Sequence, residues 1–538
     1  MKVNKETIQQ KEFWNDISVA LPQFDCDNMC ANTKKKPVWV HFGAGNIFRG
    51  FVANLHQKLL NEGLAESGII AVETFDYDII DKIYDPFDNL TLLVTLKPDG
   101  STEKEIVASI AEGIKADLGN PDAKKRLVEI FTDKNLQMVS FTITEKGYTL
   151  TNIAGDFIQV VAADMQNGPK AARHAMSIVT ALLLERFQNG AFPIALVSLD
   201  NCSHNGEKVK SAVLTIAKAW VQNGFADAEF VAYLENEQQV SFPWSMIDKI
   251  TPRPDAQVQE SLEANEIEDM APIITAKNTF IAPFVNAEVS EYLVVEDSFP
   301  AGRPALEKAG VYFTDRATVN DTERMKVTTC LNPLHTALAV FGCLLGYKRI
   351  SDEMSDPDLK LLVEKIGYQE GMPVVTDPKI ISPEAFLKEV LEVRLRNPFI
   401  PDTPQRIATD TSQKIVVRFG ETIKSYINDE KLDVQSLEFI PLVIAAWLRY
   451  LLQTDDELNE MPISPEPMFE ELSKALSGIE AGKPESYTGQ LLPILQNEML
   501  FAVDLTSCGL SEKIEQMFAG MLFGKGAVRA TLKKYLKS

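Results

Sequence analysis

The chain has 538 residues, 45% of them hydrophobic, and a net charge of −23. That length is too great for one hydrophobic core and predicts two or three domains. The acidity excludes a general nucleic-acid surface, which needs clustered Lys and Arg, and disfavours adhesion to anionic membranes; an anionic substrate would need a locally cationic pocket.

The opening MKVNKETIQQKEFWND is polar and lacks the apolar core of a signal peptide, and no apolar run reads as long enough to span a bilayer. A cytoplasmic protein with no membrane or nucleic-acid partner is expected. The cysteines (Cys26, Cys30, Cys202, Cys330, Cys343 and Cys508) are scattered and read as free thiols. No HExxH and no carboxylate–histidine cluster appears, so no metal is expected.

Residues 1–36 read as a peripheral lead-in ending in KKK. PVWVHF (37–42) is then a short β-rich run, followed by GAGNIFRGF and the helical pattern VANLHQKLLNEG. Strand, Gly-x-Gly, helix is the opening of a dinucleotide-binding unit, because the glycines let the backbone turn tightly and approach a pyrophosphate at a helix N-terminus. Gly43, Ala44, Gly45, Asn46 and Ile47 are therefore candidate cofactor-binding residues. Phe48 stands where a third glycine would be, and two glycines also suit an ordinary strand–turn–helix junction. GIIAVETFDYD (68–78) predicts a second strand ending in Glu73, whose carboxylate can accept from ribose hydroxyls. Asp76 is the alternative, and a solvated strand-end residue is the competing reading for Glu73. Further strands are predicted at 90–96, at 137–144 (ending in Thr144, a further cofactor candidate) and at 193–200, with helical stretches between the last two; this is an α/β alternation. FPWSMIDKITPRP (242–254) cannot be typed from its pattern.

After about residue 320 helical patterns dominate: 333–347, 356–366, 383–395, 412–427, 436–453, 467–477, 489–502 and 510–537. The fold class expected is α/β, with an N-terminal Rossmann-like dinucleotide-binding domain (37–318) and a mostly α-helical C-terminal domain (319–538). At its start lies KVTTCLNPLHTALAVFGCLLGY (326–347), with Lys326, Asn332 and His335 ahead of an apolar run. Asn before Pro predicts an N-cap at Asn332, a helix from Pro333, and His335 in its first turn.

Six separated motifs carry a resemblance: VHFGAGNIFRG (40–50), SFTITEKGY (140–148), SLDNCSHNG (198–206), FPWSMIDKITP (242–252), MKVTTCLNPLH (325–335) and NPFIPDTPQRIATDTSQKIVVR (397–418). In this order they resemble the polyol-specific long-chain dehydrogenases and reductases, from about residue 21 to near the C-terminus. The resemblance implies a zinc-independent, NAD(H)-dependent oxidoreductase with a Rossmann-type and a helical domain, substrate lying in a cleft between them. It places the catalytic lysine on Lys326, the oxyanion-binding asparagines on Asn201 and Asn332, the substrate-binding histidine on His335, and a glutamate gating proton exchange on Glu323. Substrate contacts fall on Asp248, Arg406 and Lys414. The chain departs from the family pattern in two respects: Lys326 and Asn332 stand one residue further apart, and Asn-Pro replaces Asn-Gly.

Such a site reduces a ketone by hydride delivery, charge stabilisation at oxygen and proton supply. Two amide donors on the developing alkoxide suit Asn201 and Asn332, and a buried lysine of lowered pKa suits proton transfer. The resemblance is nearest to enzymes acting on a keto-sugar acid, with polyol oxidation and a non-catalytic nucleotide-sensing module as alternatives. The expected partner is a small sugar acid or polyol, and the expected state a monomer or homodimer.

Overall fold

The structure, a computed structural model, describes residues 1–152 and 154–537. It divides into two compact units, one of residues 1–97 and 101–320, the other of 98–100 and 321–538.

The first unit is built on a six-stranded sheet: β1 (Trp39–Phe42), β2 (Ile69–Glu73), β3 (Ile110–Lys115), β4 (Met138–Phe141), β5 (Ile194–Ser198) and β6 (Val240–Ser241). Their spatial order is β3-β2-β1-β4-β5-β6, with every pairing parallel. This is the doubly wound order in which ligands gather at the carboxyl ends of the strands, where the order reverses between β1 and β4. The central strands are near-continuous apolar runs because both faces are covered. Val40, Phe42, Ile70, Val72, Val139 and Phe141 pack on one face with α2 (Pro121–Thr132), α3 (Ala175–Gln188) and α4 (Asn205–Gln222). Trp39, Ile69, Ala71, Met138 and Ala195 pack on the other with α1 (Ala53–Asn61). The two-residue periodicity of each strand thus feeds two separate cores.

Three expectations change here. The lead-in is not peripheral: Val3 and Trp14 are fully buried, and Val19–Ala20 pairs with Thr102–Val107. The strand Thr91–Leu96 lies outside the main sheet, paired antiparallel with Thr102–Val107 and parallel with Phe284–Glu288. The third parallel strand is instead β3, whose sequence IAEGIK is too polar to have signalled a covered strand. The untyped segment supplies β7 (Ser245–Asp248), antiparallel to Tyr292–Glu296.

The second unit is helical. Its first long element runs from α5 (Arg316–Arg324) through a π-helical turn, Met325–Cys330, into α6 (Asn332–Leu345). Contrary to the sequence expectation, this helix, Arg316–Leu345, is long and apolar enough to cross a membrane by length and composition, but 83% of its apolar window is buried inside the protein. Only a bend at Leu331 separates the polar stretch before Asn332 from the apolar one, and that near-continuity is what no hydropathy count of the apolar run predicts. α6 packs on α7 (Phe439–Tyr450), all of whose residues are buried. Buried Glu370 caps α7, its carboxylate accepting from the backbone N–H groups of Glu438, Phe439 and Ile440 at 2.6–2.7 Å. A helix end so far from water needs such a partner.

Candidate active site

In the first unit the site begins at the β1–α1 turn. Gly43 has φ +103°, and a Cβ there would lie 2.2 Å from the Thr142 carbonyl oxygen. Only glycine fits this conformation and this approach of two strand ends. Gly45 differs: a Cβ added there meets nothing within 4 Å. The protein's own packing does not require it to be small, and the open space beside it suits a pyrophosphate lying close to backbone. At the third position of the pattern, Phe48 is fully buried and stacked on His41, ring centroids 4.0 Å apart and 5° from parallel. It opens a π-helical turn, Phe48–Val52, leading into α1. The missing glycine is thus replaced by an inward-facing aromatic. Asn46 Oδ1 accepts from the buried Arg49 guanidinium at 2.8 Å, which fixes the outer part of the turn together with the Arg49 bond to the Ala282 carbonyl.

Glu73 ends β2 as expected, but its carboxylate is largely occupied. One oxygen accepts from the Ala44 N–H at 2.9 Å, the other from the N–H groups of Phe75 and Asp76 at 2.8 and 3.1 Å, and the residue is 5% exposed. Asp76 is buried and accepts from the Thr275 hydroxyl. Glu73 thus braces the glycine turn and the loop behind it, while Asp76 ties that loop to Thr275; Glu73 is not the solvated strand-end group weighed in the sequence. Thr144, with φ +62°, sits beyond β4, and half-buried Asp200 accepts from the N–H groups of Ile143 and Thr144 and from the Tyr148 hydroxyl. Asp200 thereby ties the end of β5 to the loop after β4, and Asn201 follows it directly at an exposed position. Asp248 is the buried last residue of β7.

In the second unit, Glu323, Lys326, Asn332 and His335 all lie on the one long helix. Lys326 is 2% exposed and stands in the π turn, where the Leu331 N–H bonds to the Lys326 carbonyl five residues back at 3.1 Å. A π turn holds one residue more than an α turn, so the additional residue between Lys326 and Asn332 is accommodated by the π turn and the bend at Leu331 that follows it. Asn332 is therefore not an N-cap. It is the first residue of α6, whose N-terminal position makes no side-chain capping bond, and the His335 N–H is already bonded to the Leu331 carbonyl. The Asn332 side chain is left for other use.

His335, with its side chain 16% exposed, has Nε2 3.2 Å from Oδ2 of Asp402. The approach is within ion-pair distance, yet Nε2 has no well-directed hydrogen bond. Burial depresses the His335 pKa; Asp402 opposes this, while Arg418 and Arg406 add to it, so the imidazole is neutral at pH 7. Arg406, on the short helix Pro404–Ile407, ion-pairs with the other Asp402 oxygen. Arg418 stands on another π turn, Val416–Gly420, and donates to the Thr336 hydroxyl, which in turn donates to the Asn332 carbonyl. Burial brings the Arg418 pKa down to about 10. Lys414 donates to the Thr409 carbonyl, and its pKa is lowered by burial and then by Arg418. Arg406, Lys414 and Arg418 thus gather charge of one sign near His335 in a chain that is strongly acidic overall. Asp402 and Arg418 were not singled out in the sequence. The i,i+4 spacing of Asp402 and Arg406 in DTPQR was a visible signal for the first; nothing local marked the second.

Among the described residues no group of three or more His, Cys, Asp or Glu side chains could hold a metal ion. A doubly wound parallel sheet with a glycine turn open at Gly45, followed by a helical unit carrying a buried lysine, defines a two-domain nucleotide-dependent dehydrogenase. Residues 37–308 match the mannitol dehydrogenase Rossmann domain and residues 318–521 the mannitol dehydrogenase C-terminal domain. The chain belongs to the mannitol dehydrogenase family and is an oxidoreductase. It is 55% identical to a D-mannonate oxidoreductase of Thermotoga maritima over 99% of both chains. It is 30% identical to a polyol:NADP oxidoreductase of Gluconobacter oxydans, covering 86% of this chain and 88% of that one. Among solved structures it resembles mannitol 2-dehydrogenase of Pseudomonas fluorescens in ternary complex with NAD and D-mannitol, with TM-score 0.70, 26% identity and full coverage of both chains.

Proposed function

We propose that the chain is an NAD-dependent oxidoreductase interconverting D-mannonate and the keto acid D-fructuronate, in the cytoplasm, with residues 37–318 binding cofactor and 319–538 binding substrate. The observation that carries this reading is the 55% identity with a D-mannonate oxidoreductase, end to end. The cationic cluster of Arg406, Lys414 and Arg418 supports it, since a carboxylate substrate needs such a site in a chain of net charge −23.

The residues fit a dinucleotide: the turn Gly43–Ile47 leaves room at Gly45, Glu73 holds that turn, Asp76 lies in the loop behind it, and Thr144 lies beyond the neighbouring strand. A dinucleotide held at this turn would supply, or take up, the hydride at the substrate's secondary alcohol carbon. In the oxidation, Lys326 takes the hydroxyl proton; in the reduction it returns it. Asn201 and Asn332 donate to the oxygen as negative charge develops there, worth roughly 3–4 kcal/mol for each donor of this kind. His335 and Asp248 bind neighbouring hydroxyls, Arg406 and Lys414 the carboxylate, and Glu323 passes the lysine's proton to solvent.

The test is a panel of D-fructuronate, D-tagaturonate and D-fructose with NADH and NADPH. Fructuronate with NADH should give the highest kcat/KM. Preference for fructose would move the protein to polyol oxidation, preference for tagaturonate to the isomeric keto acid, and inactivity on all three would revive a nucleotide-sensing role.

A further inference from the structure

One buried carboxylate touches two of the substrate-binding candidates. Asp402 is 6% exposed. Its Oδ2 lies 3.2 Å from His335 Nε2, and its Oδ1 pairs with the Arg406 guanidinium. Its backbone is fixed as well, the carbonyl accepting from the Ile350 N–H at 3.0 Å and the N–H donating to the Ile400 carbonyl at 2.8 Å. The two side chains it joins come from different elements. His335 is on α6 and half-buried, while Arg406 is on a four-residue helix with its side chain 61% exposed. A long arginine on so short a helix loses considerable conformational freedom when it is held in one place. Among the described residues, the carboxylate that both side chains are paired with is that of Asp402. Burial alone would raise the Asp402 carboxyl, yet His335 and Arg406 together hold it below its ordinary value, so it is ionised when both need it.

We propose that Asp402 is the positioning residue of the substrate site, one carboxylate setting the orientation of both the His335 ring and the Arg406 guanidinium. This rests on the reading of His335 and Arg406 as substrate-binding groups. With Nε2 turned to Asp402, the imidazole presents Nδ1 to a substrate hydroxyl. With one edge of its fork on Asp402, the guanidinium presents the other edge to the substrate's anionic end. The oblique His335–Asp402 approach fits a bond that tightens when substrate fills the site. Asp402 touches no reacting atom in this scheme; its effect passes through the two side chains it holds.

The test is a pair of double-mutant cycles on the full chain, D402N against H335A and D402N against R406A, with D-mannonate and NAD. Asp402→Asn should lower kcat/KM about ten- to a hundredfold, chiefly through KM, as loss of a charge-assisted hydrogen bond does. NADH affinity, read by fluorescence, should not change. In the H335A and R406A backgrounds the same substitution should cost several-fold less than in the wild type, because part of its route is already gone. Losses that multiply in both cycles would show a structural role only and overturn the proposal. If D402N does not fold, Asp402→Glu replaces it: it keeps the charge, shifts the carboxylate by one methylene, and must show the same non-multiplying losses. A wild type oxidising D-mannitol but not D-mannonate would refute the substrate reading instead, and the His335 cycle is then decided on D-mannitol.

Discussion

The glycine turn of the first unit and the long helix of the second hold their functional groups in opposite ways. Around Gly43 the backbone closes on itself: Glu73 takes three N–H groups, Asp200 two, and the Thr142 carbonyl leaves no room for a Cβ. The polar groups there are spent on shape, and what remains for a ligand is space. On the long helix the side chains do the reverse. Asn332 caps nothing, Lys326 is buried in a π turn, and His335 is steadied by a carboxylate from a distant stretch of chain. A surface that must admit one invariant cofactor can be built from backbone. A surface that must move a proton and read a sugar needs the chemistry of particular side chains.

The sharpest way to break this comparison is at Lys326. Lys326→Ala should cut kcat by about 10²–10⁴-fold, the usual worth of general acid–base catalysis, while NADH binding by fluorescence titration stays within a few-fold of wild type. Near-normal turnover would remove Lys326 from the chemistry and make the π turn a structural detail.

The two glycines test the other side. Gly43→Ala places a Cβ against the Thr142 carbonyl at positive φ and should destabilise the fold by about 1–3 kcal/mol or more, seen as a lower Tm. Gly45→Ala should leave Tm unchanged and weaken NADH binding instead. Equal behaviour of the two variants would mean that the turn is not divided between self-packing and ligand space.

The smallest expected effect concerns a buried acid that neither region uses. Glu353 is fully buried with both carboxylate oxygens unpartnered, against Gly342 of α6, and burial holds its pKa well above the ordinary value. A carboxyl whose folded pKa is raised binds a proton more tightly folded than unfolded, so stability is lost as pH climbs from the unfolded pKa, near 4.5, towards the folded one. Glu353→Gln should therefore be nearly neutral at pH 5 and stabilising at pH 8, by about 1–3 kcal/mol. A Tm difference that does not grow with pH would show that Glu353 finds a partner when ionised.

Much of the first unit was readable in one dimension because its signals are local. A two-residue apolar period, a Gly-x-Gly at a strand end and an acid at the end of the next strand each need only neighbouring residues. β3 was missed because IAEGIK owes its place to pairing with β2 rather than to its own hydrophobicity. Glu73 was placed correctly at the end of β2, but the engagement of its carboxylate by Ala44 depends on how two strands lie side by side.

On the long helix the sequence by itself determined the residue types, their order and the departure in spacing between Lys326 and Asn332. It could not determine that the departure becomes a π turn, because Asn-Pro is equally a helix start. Nor could it join His335 to Asp402 across the intervening chain, or bring Arg418 to Thr336. Those pairings exist because helices distant in sequence pack their apolar faces together, and the polar residues at the edges of those faces are carried into contact as a consequence.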